Sequence, residues 1–255
     1  MSDLMDHPVL LFVFSFFAMW LSTQFGMLSY KRRRNTAADL HESFQVIETA
    51  TLTLLGLIIG FTFSMAISRY DLRKNYEEEE ANAIGTEYVR TDLLPAEYGE
   101  KARALLVSYL EQRILFYKTR DTDQLRQIDA RKSQLQSALW ASVVAPAATQ
   151  PTQIVALAVS GMNDVLNSEG YTNAAWWNRI PLSAWCLMGA IAVVCNTLVG
   201  YGARKQAMGP MLQLVLPLVV SLSFMLIADI DSPRGGLILV HPQNLTAVAM
   251  SLRTP

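Results

Sequence analysis

The residues able to do chemistry are scattered in ways that defeat the common mechanisms. His41-Glu42 opens like the zinc-protease helix HExxH, in which two histidines one turn apart hold the metal and the glutamate acts as base. Position 45 is glutamine, so the second ligand is missing. Ser160 precedes Gly161, but Ala158 stands where a nucleophile elbow needs glycine for its tight turn. The three histidines (His7, His41, His241) offer no metal-ligand spacing. Cys186 and Cys195 lie in one apolar stretch and, at about 100° per residue, point to nearly opposite helix faces, so they cannot pair within it. They read as small buried hydrophobes. No phosphate-cradling glycine loop and no CxxC motif occurs. An enzyme is therefore not expected, and neither catalytic, cofactor-binding nor metal-ligating residues are assigned.

Two patterns remain. Gly56, Gly60, Ser64 and Ser68 recur every four residues, and Thr49 and Thr53 extend the same stripe. In lipid, small residues at this spacing let another helix backbone approach closely, because hydrocarbon gives helices no hydrophobic drive to associate. The stripe either packs on a neighbouring helix or faces a symmetry axis and lines a narrow pore. Farther along, Glu79, Asn82, Gly85, Thr86 and Arg90 follow one slowly turning helix face. Asparagine, threonine and mid-helix glycine are poor stabilisers of an exposed helix. A close neighbour is expected there, either within a bundle or as a ring of polar groups around a homo-oligomer. The four acids of residues 77–80 point in several directions, and most are expected to be solvated or paired with Arg73 and Lys74. Near the end, Asp229 and Asp231 sit where the fourth apolar stretch leaves the bilayer, followed by the turn Ser-Pro-Arg-Gly-Gly with Arg234. Two carboxylates are few for a cation site, so ion pairing or capping is expected, and the following LILV is expected to be a short strand or to lie against the helical domain.

These patterns sit on elements dictated by hydropathy. The chain has 255 residues, of which 51% are hydrophobic and 17% charged. Four stretches, 8–30, 44–68, 181–201 and 210–228, come near or exceed the ~20 residues that cross a ~30 Å hydrocarbon core. The second runs without proline into charged sequence and predicts one rod, half in lipid and half in water. At 1.5 Å rise per residue the polar face lies about 20–40 Å beyond Gly60, well past the membrane. The net charge of −1 and the absence of a basic surface give no reason to expect nucleic acid.

Between the membrane pairs, helical periodicity predicts a bundle. Its first helix ends near Leu94 and Pro95 starts the second, with Leu105, Leu106, Tyr109 and Leu110 as its apolar stripe. A third carries Leu125, Ile128, Leu135 and Leu139 and should be broken by the two prolines of 145–152. Pro151 should open a fourth, with Ile154, Leu157, Met162 and Val165, ending near Gly170. Trp176, Trp177 and Trp185 suit a membrane interface, where an apolar ring and a polar N–H are both satisfied. Asn196 reads as an interhelical hydrogen-bond partner, and Pro217 should kink the fourth membrane helix. The expected class is all-α: membrane pairs at 1–68 and 181–228, a helical domain at 69–180 and a tail at 229–255.

The run GFTFSMAISRYDLRKNYEEEEANAIGTEYVRTDLLP, with the closing ADIDSPRGGLILV, resembles a bacterial membrane family described as bestrophin-like. The likeness covers essentially the whole chain, two helices, a helical insertion and two more helices. It implies kinship with anion channels, with Phe61 and Phe63 as the candidates for an aromatic neck. The leading expectation is a homo-oligomeric channel or pore lined by the second helix and its extension, embedded in a lipid bilayer and passing inorganic ions. The rival is a non-conducting scaffold or sensor whose helical domain binds a partner.

The basic run Lys31-Arg32-Arg33-Arg34 follows the first apolar stretch, and Arg204 and Lys205 fall on the same side. Positive residues in short loops stay cytoplasmic. This gives a multi-pass protein of a bacterial inner membrane, with the N-terminus, helical domain and C-terminus outside the cytoplasm. Arg69, Arg73, Lys74 and Arg179 oppose that reading, but they flank a long segment where the rule weakens. Single cysteines placed between residues 96 and 150 should then react with an impermeant thiol reagent in intact cells whose outer envelope is permeable. Labelling only after the inner membrane is broken would reverse the orientation.

Overall fold

The computed structural model describes residues 5–32, 41–205 and 211–253, with the side chains of 30–43 and 203–205 outside that description. The basic residues Lys31–Arg34, Arg204 and Lys205 that set the orientation, and the His41-Glu42 pair, thus have side chains outside the described residues. The protein is all-α, and no strand occurs among the described residues. The helices are α1 (Pro8–Arg32), α2 (His41–Arg90), α3 (Ala96–Lys118), α4 (Thr122–Thr149), α5 (Gln153–Trp177), α6 (Leu182–Lys205), α7 (Leu212–Asp231) and α8 (Gln243–Ser251). Among the described residues, four candidate spans are long and apolar enough to cross a membrane, in Pro8–Ser29, Phe44–Leu93, Gln153–Gly202 and Leu212–Asp231.

Local chemistry explains these elements. α2 is 50 residues long and holds no proline. Three of its threonine hydroxyls are satisfied inside the helix: Thr51, Thr53 and Thr62 donate to the carbonyls of Ile47, Thr49 and Ile58, the usual way to carry a hydroxyl in lipid. Arg90 in the last turn complements the negative end of the helix dipole. A 3-10 turn at Thr91–Leu93 and then Pro95 start α3. The Asp121 side chain caps α4 by accepting from Gln124 N–H at 2.8 Å. Thr152 caps α5 by accepting from Val155 N–H at 3.2 Å.

The break expected within 145–152 is present, since α4 ends at Thr149, with Pro146 inside its last turn, and α5 starts at Gln153. A proline in the final turn removes few helical bonds, and the Pro146 carbonyl still accepts from Gln150 N–H. Other expectations need correction. α5 passes straight through Gly170 to Trp177, because tertiary contacts reward the last two turns: Thr172 bonds Glu80, and Trp176 packs on Phe116 and Tyr117. Its buried face holds Val155 and Ala158 together with Met162 and Val165, while Ile154 and Leu157 are exposed. Trp176 is accordingly a core residue and not an interfacial one, whereas Trp177 is 80% exposed. Of the two expectations for 237–240 the strand is not met, since the segment is irregular, while Val240 packs into the core of the helical unit.

The chain forms two compact units. One comprises Met1–Arg69 and Arg179–Leu239, the other Tyr70–Asn178 and Val240–Pro255. In the first, α1 packs on α6 and α7. α1 and α7 expose Val9, Phe14, Leu21, Phe25, Val215, Val219 and Leu222, among others, as lipid-facing helices do. α1 and α6 meet backbone to backbone: a Cβ on Gly26 or on Gly200 would collide with the carbonyl of Thr197 or of Thr23, respectively. Beside this crossing, the Thr23 hydroxyl reaches Asn196 Oδ1 at 3.5 Å. In the second unit, the part of α2 from Tyr70 onward is enclosed with α3, α4, α5 and α8 around a core that includes Ile84, Leu106, Tyr109, Leu110, Leu139 and Met162.

Gly200→Ala should lower the stability of the solubilised protein by about 1–3 kcal/mol, the ordinary cost of forcing atoms into a packed site. Gly170→Ala meets nothing within 4 Å and should be neutral or stabilising by up to ~1 kcal/mol, since alanine is the better helix former. Thermal melts of the two variants beside the parent check both outcomes.

Candidate pore-lining helix and its buried acids

At 3.6 residues per turn, the buried residues of α2 form one face. Leu55, Thr62, Ala66, Arg73, Glu77, Glu80, Ile84 and Glu87 are each at most 4% exposed. The opposite face carries the small and polar stripe. Thr49, Thr53, Gly56, Gly60, Ser64 and Ser68 are all exposed. A Cβ on Gly56 or Gly60 would meet nothing within 4 Å. Among the described residues the stripe therefore packs on no other helix, unlike Gly26 and Gly200.

Beyond Ser68 the exposed face continues through Asp71, Asn75, Glu78, Asn82, Thr86 and Val89. Glu79 is exposed on its flank, Gly85 and Arg90 are half-buried, and a shallow open groove runs along Asn82, Gly85, Thr86, Val89, Arg90 and Val248. Asp71, Asn75 and Glu78 were not singled out from sequence. Extending the i+3/i+4 spacing from Ser64 and Ser68 toward Asn82 passes through all three. Phe61, a candidate neck residue, is 66% exposed, and Phe63 is half-buried.

The acidic run is not mostly solvated. Glu78 and Glu79 are exposed, but Glu77 and Glu80 are buried. The Glu80 carboxylate takes a two-pronged bond from Arg113, through Nε and Nη2, and further bonds from Tyr117 and Thr172. Arg113 is 0% exposed and lies 4.6 Å from the centroid of the Phe116 ring, a geometry that favours a cation over an aromatic face. Burial works against its charge, yet Glu80 and the neighbouring tyrosines outweigh that and hold the guanidinium above its ordinary value. Burial pushes the Tyr109 and Tyr117 hydroxyls up as well, so both stay neutral. Glu77 accepts from the Leu245 N–H at 2.9 Å and from Asn244 at 2.7 Å. Arg73 is buried, not at a surface, and donates to the Ala175 carbonyl. Glu169 pairs with Lys132 at 2.6 Å.

In the other unit, Asp231 accepts from Ile180 N–H at 3.2 Å and pairs with Arg179 at 3.6 Å and Arg69 at 3.9 Å. Asp229 accepts from the N–H groups of Leu237 and Ile238. Arg234, between them in sequence, is half-buried. Both carboxylates are thus engaged with donors of the chain, and no group of three or more potential metal ligands occurs among the described residues.

A family model described as bestrophin-like domain matches residues 9–245. The chain belongs to the bestrophin-like family. Among solved structures it is similar to crystal structures of a bacterial bestrophin homologue from Klebsiella pneumoniae. One point variant is 15% identical with a TM-score of 0.67, covering 94% of this chain and 95% of that one. A second variant is 13% identical with a TM-score of 0.66, covering 94% and 93%, and the structure phased from zinc is 15% identical with a TM-score of 0.63, covering 94% and 95%. No curated protein matches. At these identities the likeness establishes the fold: this is a multi-pass, all-α membrane protein built as bestrophin homologues are.

The open space around Gly56 and Gly60 makes an unusual prediction for this bestrophin-like chain. Gly56→Leu and Gly60→Leu should leave the isolated subunit folded, with unchanged helix content by circular dichroism. Both should disrupt an assembly that uses the stripe, seen as loss of the oligomer on native mass spectrometry. Variants that assemble like the parent would place the stripe against something more forgiving than a backbone or a narrow axis.

Proposed function

We propose that the protein is a homo-oligomeric ion channel whose pore is lined by the lipid half of α2, with the polar face beyond Ser68 as its vestibule. One observation carries the reading. Among the described residues, α1 and α7 expose large apolar side chains, while α2, beside exposed Leu54, Leu57 and Phe61, also exposes the row Thr49, Thr53, Gly56, Gly60, Ser64 and Ser68. Hydrocarbon offers such a row of small and polar groups nothing, whereas an axis shared by several copies gives it water, ions or a close backbone. Closed rings of identical subunits are the usual way to create such an axis.

The exposed charges on the extension favour cations. Asp71, Glu78 and Glu79 are exposed, and Lys74 and the half-buried Arg90 oppose them; Arg69 is turned to Asp231 and Arg73 is buried. Acidic rings concentrate cations, an effect that salt screens over about 8–10 Å near physiological strength. Inner-membrane location and the orientation drawn from the basic loop belong to the same proposal. Thiol labelling decides the orientation independently of conduction.

The test is current from purified protein in planar lipid bilayers, with subunit number read in parallel. Glu79→Gln should change single-channel conductance more at low salt than at high salt. Ser64→Leu should block current at every salt concentration, once each variant is shown to assemble. An oligomer that carries no current under any ion gradient or voltage would favour the scaffold or sensor reading. Current unchanged in both variants would place the pore elsewhere.

A further inference from the structure

Glu87 stands apart from the other buried acids of α2. It is 0% exposed, and neither carboxyl oxygen has a hydrogen-bond partner among the described residues. Its carboxyl fits into the space left by the missing side chain of Gly161 on α5: a Cβ there would collide with Glu87 Oε2 and with Nη1 and Cδ of Arg90. One point on α5 therefore holds the acid and the guanidinium side by side without a direct ion pair between them. Arg90 is the half-buried residue at the edge of α2, with its other side on the groove of Asn82, Thr86, Val89 and Val248.

A carboxylate enclosed this way without donors is costly, and a proton removes the cost. Burial is the largest influence and pushes the Glu87 carboxyl up to about 8; Arg90, on its own helix, pulls it down and Asp164, on α5, pushes it up. Nearby on α3, Arg103 is already engaged by Asp92 and lies over the Tyr88 ring. Glu87 is then a neutral acid near neutral pH.

We propose that Glu87 is a proton-operated control of the Arg90 charge: protonated, it leaves the guanidinium uncompensated beside the groove, and deprotonated, its carboxylate pairs with Arg90 and cancels that positive charge. The proton released goes to solvent, and the carboxylate it leaves behind is the partner Arg90 otherwise lacks. The groove face of α2 thus carries one more positive charge at neutral pH than in alkali. Gly161 is what permits this, because any side chain there would displace both groups.

Two measurements on the full-length protein in detergent test the proposal, and neither needs current, so its failure is distinguishable from failure of the channel reading. In infrared difference spectra, the parent should lose a protonated-carboxyl band as pH passes about 8, and Glu87→Gln should lack that change. Arg90→Gln should move the midpoint upward, and Asp164→Asn should move it downward. These two residues are only partly buried or exposed, so their variants report on the same proton even if Glu87→Gln does not fold. Because the folded state holds the proton more tightly than the unfolded one, the stability it contributes is complete below about 4.5. It is lost as pH rises to about 8, and is flat beyond. The melting temperature of Glu87→Gln should therefore lack the component of decline that the parent shows across that interval. A carboxyl band that does not titrate there, or a midpoint that Arg90→Gln and Asp164→Asn fail to move in opposite directions, overturns the proposal.

Discussion

A carboxylate cut off from water must be paired, bonded or protonated, and the helical unit is arranged around that requirement. α2 buries three acids on one face, and each is answered differently. Glu77 receives a backbone N–H and an amide from the start of α8. Glu80 receives a fully buried arginine from α3 and hydroxyls from α3 and α5. Glu87 meets a glycine on α5 and no donor among the described residues. Three different elements are thus drawn to one helix by acids. Removing one partner from a buried pair such as Glu80–Arg113 would strand a charge, at a cost of about 3–5 kcal/mol. Such pairs specify which helices meet more than they add net stability.

The membrane unit solves a different problem with different residues. Apolar burial cannot hold helices together in lipid, so contact depends on close approach and on polar groups that find partners. Thr23-x-x-Gly26 on α1 and Thr197-x-x-Gly200 on α6 interlock, each glycine receiving the backbone of the other helix. The same device on α2, at Gly56 and Gly60, is left facing open space. Small residues are thus enclosed at one helix crossing and open on another helix.

Cation pairing at the ends of the membrane helices is equally local. Arg179 lies between Asp6 and Asp231, and Arg69 turns to Asp231 as well. The turn after α7 folds back so that the backbone of Leu237 and Ile238 reaches Asp229, and a Cβ on Gly236 would strike that same carboxylate. Gly236 is needed because the chain returns so close to its own helix end, and Gly235 because the backbone of Asp6 comes as close on the other side.

The sequence by itself determined the helical class, the apolar stretches, the long proline-free rod and the small-residue stripe on it. All of these follow from periodicity and side-chain size along one helix, which need no knowledge of neighbours. The family resemblance was also legible, in the run from Gly60 to Pro95 and in the closing Asp, Pro and Gly turn. Which acids are buried was not: Glu77–Glu80 look alike in sequence, and only the positions of Arg113, Asn244 and Leu245 separate Glu77 and Glu80 from Glu78 and Glu79. The endpoint of α5 was likewise settled by tertiary contact, because Thr172 and Trp176 gain more from the core than Gly170 loses as a helix former. Trp176 and Trp177 are adjacent and chemically identical, yet one is enclosed and the other exposed, since 100° of helix rotation separates core from solvent. The role of Gly161 could be read only once Glu87 and Arg90 were seen in the space its missing side chain leaves.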